Sequence, residues 1–74
     1  MLIVPDKRLA LLAYEKVLAL IMSGEALPGS MVHERRLADI LQISRTPVRD
    51  ALLMLEGEGL VIRQGKSGLQ VRQL

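Results

Sequence analysis

The 74-residue sequence has no cysteine, phenylalanine or tryptophan, a single tyrosine, Tyr14, and a single histidine, His33. Without cysteine there is no disulfide framework and no thiolate metal site, and the redox compartment stays open, with a cytoplasmic setting compatible. His33 alone cannot make a metal site, and no cofactor is expected. Scarce aromatics leave no platform on which unpaired bases could stack, which argues against RNA as the partner. No uninterrupted apolar run reaches the roughly 18 residues of a membrane span, and "MLIVPDKR" places its charges after a short apolar run, the reverse of a signal peptide. A soluble chain with no membrane partner is expected.

What is present is aliphatic and helix-prone. Half of the residues are hydrophobic, so the core must be built from Leu, Ile, Val, Met and Ala. The length allows one domain, too small for a large enclosed active site. The net charge is only +2, but it is unevenly spread. Residues 1–34 carry three bases and four acids, and residues 35–74 seven bases and four acids.

"KRLALLAYEKVLALIMS", residues 7–23, is free of Gly and Pro and predicts a first helix that stops at Gly24. At 100° per residue, Leu9, Ala10, Ala13, Val17, Leu20 and Ile21 share its core face, while Leu11, Leu18 and Met22 gather on the other side. Those three are either scattered exposed residues or a docking surface for a second copy or another domain. Pro28 and Gly29 signal a turn before a possible short strand at residues 30–32. A brief helix is expected over residues 34–41, with Leu37, Ala38 and Leu41 inward and Arg35 and Asp39 outward. After a turn at Gln42 and Ile43 comes a third helix, its end bracketed by Gly57 and Gly59. "LVIR" and "LQVR", joined by "QGKSG", read as a hairpin in which Gly65 and Gly68 supply backbone freedom.

Two helices joined by a three- or four-residue turn form the helix-turn-helix pattern, whose second helix reads the DNA major groove. With Ser44 as N-cap, Arg45, Thr46 and Arg49 fall at about 0°, 100° and 40° around that helix. Val48, Ala51, Leu52 and Leu55 lie opposite. A guanidinium can bridge O6 and N7 of guanine with two parallel hydrogen bonds, and Ser44 with the free N–H groups of the first turn can hold a phosphate. Pro47 fits the first turn but disfavours helical geometry at Thr46, so a start at Thr46 with Pro47 in first position stays open. On the arginines alone, a merely solvated helix face is an equal reading. Glu56 and Glu58 lie at the far end, and Asp50 flanks the site, where it would repel phosphate or orient Arg49.

"RRLADILQISRTPVRDALLMLEGEGLV" resembles the DNA-binding domain of the GntR family of bacterial transcription regulators, and "SRTPVRDAL" is especially similar to its FadR-like subfamily. The likeness runs from the first helix through "LPGSMVHERRLADIL" to "QGKSGLQV". It implies a mainly α fold with a small β-hairpin, a three-helix winged helix-turn-helix occupying residues 1–74. It further implies that Arg35, Ser44, Arg45, Thr46 and Arg49, with Gln64, Gly65 and Lys66 at the wing tip, lie at double-stranded DNA, the tip toward a minor groove. Gln42 departs from the family's frequent Gly, at a cost on the order of 1 kcal/mol if that residue is left-handed. Asp50 replaces a common Glu. Family members carry a C-terminal domain that binds a small-molecule effector and holds a homodimer on a palindromic operator; this chain is expected to be a piece of such a regulator.

The competing reading is a winged helix that serves as a protein-interaction module, since fold alone does not fix function. An enzyme is the weakest: His33 and Glu34 are neighbours pointing different ways, with no nucleophile or pocket between them.

Overall fold

The computed structural model describes residues 6–65 and 68–72. Helix α1 spans Asp6–Ser23, strand β1 Met31–Val32, helix α2 Glu34–Leu41, helix α3 Arg45–Gly57, strand β2 Val61–Gln64 and strand β3 Gly68–Val71. Helix α1 ends where Gly24 turns left-handed, at φ 85°, a conformation that costs a glycine nothing. The three helices close on an aliphatic core of Val17, Ala38, Val48, Leu52, Leu55 and Val61. Leu52, Leu55, Val48 and Val61 are all at most 2 % exposed, and each such side chain contributes about 1.5–3 kcal/mol by leaving water. Helix α1 packs mainly on α3, and α2 lies against α3.

The α1 stripe is wider than the helical wheel suggests. Ala10, Ala13 and Val17 are buried, and Tyr14, Leu18 and Ile21 also pack on the core as the adjoining i, i+4, i+7 ridge. Leu18 therefore does not belong with Leu11 and Met22, which are 56 % and 74 % exposed. A phenol-to-carboxylate bond of 2.6 Å from Tyr14 to Glu58 ties the middle of α1 to the end of α3.

The expected hairpin is part of a three-stranded antiparallel sheet in the order β1-β3-β2. Met31 pairs with Gln70 and Val32 with Leu69, while Val61 to Gln64 pair with Val71 to Gly68. Backbone bonds from Gly29 to Val71 and from Val71 to Ser30 extend the pairing, and the Gln70 amide donates to the Gly29 carbonyl at 2.7 Å. The segment before α2 is thus hydrogen-bonded to the wing, so strands of one sheet precede and follow the helix-turn-helix along the chain.

Candidate nucleic-acid interface

The turn between α2 and α3 depends on one residue. Gln42 is left-handed, at φ 58° and ψ 43°, and the N–H groups of Gln42 and Ile43 bond back to the carbonyls of Asp39 and Ala38. Two residues later α3 begins at Arg45 with Ser44 as N-cap, so the alternative start at Thr46 is not taken. Ser44 is extended and its hydroxyl makes no capping bond. A capping side chain bonds the N–H of the second or third helical residue; Pro47, in third position, has none, which leaves the N–H of Thr46 as the one capping donor, and Ser44 does not take it. The Ser44 hydroxyl is left unspent at the helix N-terminus, where the positive end of the backbone dipole favours an anion.

From that start, periodicity sorts the residues of α3. Pro47, Val48, Ala51, Leu52 and Leu55 are buried, whereas Ser44, Arg45, Thr46 and Arg49 are exposed. Arg45 and Arg49 stand one turn apart on the outer face. Arg35 is exposed on the first turn of α2. At the wing, Gln64 and Gly65 are exposed, and Gly65 turns left-handed at φ 67°. Lys66 lies outside the described residues.

Two contacts at this face were not foreseen from the sequence. Arg49 donates from Nε and Nη2 to the two carboxylate oxygens of Glu34, both at 3.2 Å, so an acid from α2 enters the outer face of α3. Asp50, the flanking acid, is only a minor influence on that guanidinium; the hydrogen bonds to Glu34, and then its charge, push the Arg49 pKa above its ordinary value. On β2, Arg63 makes the same kind of fork with Glu56 of α3, at 3.3 and 3.0 Å, and Glu56 raises its pKa in the same way. Glu34, Arg49 and Arg63 line one narrow cleft with Leu53 and Leu69, so the base of the wing stands beside the outer arginine of α3. Both forks cross between elements, and only the charge types, not the pairing, are visible in the sequence.

Among the described residues there is no group of three His, Cys, Asp or Glu side chains able to hold a metal, and no helix long and apolar enough to cross a membrane.

Comparison with known proteins agrees with this architecture. An HTH-type transcriptional regulator of Bacillus subtilis strain 168, YdhC, is 31 % identical over 61 residues, 82 % of this chain and 27 % of that protein. The HTH-type transcriptional regulator Mce2R of Mycobacterium tuberculosis is 44 % identical over 54 residues, 70 % of this chain and 22 % of that protein. This chain therefore spans about a quarter of the length of these relatives. Among solved structures, that of Lar, which controls the expression of the Listeria monocytogenes agr system, superposes with a TM-score of 0.80 at 29 % identity, covering 99 % of this chain and 32 % of the other. A GntR-family transcriptional regulator superposes with a TM-score of 0.74 at 27 % identity, covering 88 % of this chain and 26 % of the other. These relatives are transcriptional regulators rather than enzymes, and the family model for bacterial regulatory proteins of the gntR family matches residues 9–71. With its three helices, its winged sheet and that match across most of its length, the chain belongs to the gntR family.

Proposed function

We propose that this chain is the operator-reading module of a bacterial transcription regulator, with α3 in the major groove of double-stranded DNA and the β2-β3 tip toward the adjacent minor groove. One observation carries the reading: α3 buries one face completely and presents Ser44, Arg45, Thr46 and Arg49 on the other, behind a helix-turn-helix turn. Arg45 and Arg49 suit guanine edges, Ser44 and the α3 N-terminus suit a phosphate, and Arg35 approaches the backbone from α2. Gln64 and Gly65 at the end of β2, with Lys66 next in sequence, are assigned to the contact with the minor groove.

The "SRTPVRDAL" stretch supports placement in the FadR-like subfamily. Because the matched relatives are several times longer, residues 1–74 are assigned as the DNA-binding domain alone. The intact regulator is proposed to be a cytoplasmic homodimer on a palindromic operator, with its small-molecule effector bound by the other domain.

Fluorescence anisotropy against salt tests this. Binding to duplex must weaken steeply as salt rises, because phosphate-bound counterions are released. Arg45→Ala should reduce binding to a selected duplex by about tenfold and to a scrambled duplex much less. Lys66→Ala should lower both about equally and make the salt slope shallower by about one. Salt-insensitive or absent binding would favour a protein-interaction module instead.

A further inference from the structure

We propose that Glu34 is a positioning residue that confines Arg49 to reading a base, and so raises sequence discrimination at the expense of affinity for DNA in general; this rests on the DNA-binding reading above. A guanidinium offers its five N–H donors along distinct edges of one plane. Glu34 occupies the edge formed by Nε and Nη2, with one carboxylate oxygen on each. The outer edge, formed by Nη1 and Nη2, keeps two parallel donors. That edge matches O6 and N7 of guanine.

The fork acts in two ways. It fixes the plane of the guanidinium relative to α2, so the free edge is already aimed before DNA arrives. It also sets a carboxylate beside the cation, which repels phosphate and makes a backbone contact by Arg49 unfavourable. The first strengthens the correct complex, and the second weakens all the others. The side chains are 62 % and 28 % exposed, so even as a two-bond fork the pair is partly screened by water and contributes only modestly to stability. The other charges near Arg49 leave the assignment with Glu34: Asp50 acts only through space, and Arg63 across the cleft is held by Glu56.

The test is selection from a pool of duplexes with a randomised central stretch, using the wild-type chain, Glu34→Gln, Glu34→Asp and Arg49→Ala. Affinities are then measured on the wild-type-selected duplex and on a scrambled duplex of equal composition. Glu34→Gln should lose the preference at the same base pair as Arg49→Ala, by about fivefold or more. It should also bind the scrambled duplex about threefold more tightly, with a salt slope steeper by about one as Arg49 neutralises a phosphate. Glu34→Asp keeps the charge but shortens the reach, and should lose the preference without gaining on the scrambled duplex. In an Arg49→Ala background, Glu34→Gln should change discrimination by less than about twofold. Retention of the base preference in both Glu34 variants, or equal losses on both duplexes accompanied by a lower melting temperature, would overturn the assignment alone. A wild-type chain that enriches no sequence would overturn the DNA-binding reading and this inference with it.

Discussion

At the scale of single residues, the hydrogen bond between Tyr14 and Glu58 yields a direct optical test. Tyr14 is the only tyrosine and no tryptophan obscures it, so the phenolate absorbance reports one group. Its hydrogen bond to Glu58, then burial, then the carboxylate charge raise its pKa above 10.0. Because the folded value exceeds the unfolded one, the stabilisation from this contact is complete below about pH 10 and is lost as pH rises through the raised value. An absorbance titration should place the midpoint above 10.0, and Glu58→Ala should bring it down toward the ordinary value. An unchanged midpoint would mean that the contact is not formed in solution. The same scale shows what a sequence reveals. Arg45, Thr46 and Arg49 stand out because one helix with one apolar face dictates which residues turn outward. The partner of Arg49 does not, because Glu34 lies 15 positions away and reaches it only through the crossing of α2 and α3.

At the scale of elements, legibility follows the range of the contacts that define each one. The bounds of α2, residues 34–41, follow from a local apolar pattern, whereas β1 has two residues and exists only by pairing with β3 far along the chain. The turn signal at Pro28 and Gly29 points to a short strand over residues 30–32, but two residues carry no periodicity from which to read its partner. The wing glycines also divide in a way that composition hides. Gly65 is left-handed and open, so its constraint is conformational; at Gly68 a Cβ would come within 2.7 Å of the movable end of the Met31 side chain and 3.1 Å of the fixed Gln64 carbonyl, so its constraint is space beside the β2 backbone. The turn gives the sharpest prediction at this scale. Gln42 pays for a left-handed backbone with a side chain present, and Gln42→Gly should stabilise the fold by up to about 1 kcal/mol after the greater entropy loss of glycine is subtracted. For a domain of this size, that corresponds to a rise of roughly 4–8 °C in melting temperature. A fall would show that the Gln42 side chain stabilises the turn by contacts that outweigh its strain.

At the scale of the whole molecule, the exposed apolar residues of α1 decide whether this chain can pair by itself. Leu11 and Met22 are exposed, but Leu18 between them packs on the core. Leu12 is exposed beside Leu11, and Met22 stands 11 positions beyond Leu11, about 16 Å along the helix, so the exposed residues sit at its two ends and form no continuous seam. A single module also makes few contacts with DNA, whereas two copies joined on a palindrome gain the second binding event at high effective concentration, often worth about 10²–10⁴ in avidity. The 74-residue chain should therefore sediment as a monomer over a wide concentration range and bind a paired half-site no more tightly per copy than a single one. Fusing a parallel coiled coil after residue 74 should restore the gain on the paired site but not on the single site, and only at a spacing near one helical turn. Concentration-dependent self-association that Leu11→Glu or Met22→Glu abolishes would instead place a dimer contact on α1, and would require both copies of α3 to face one side of the DNA from that contact.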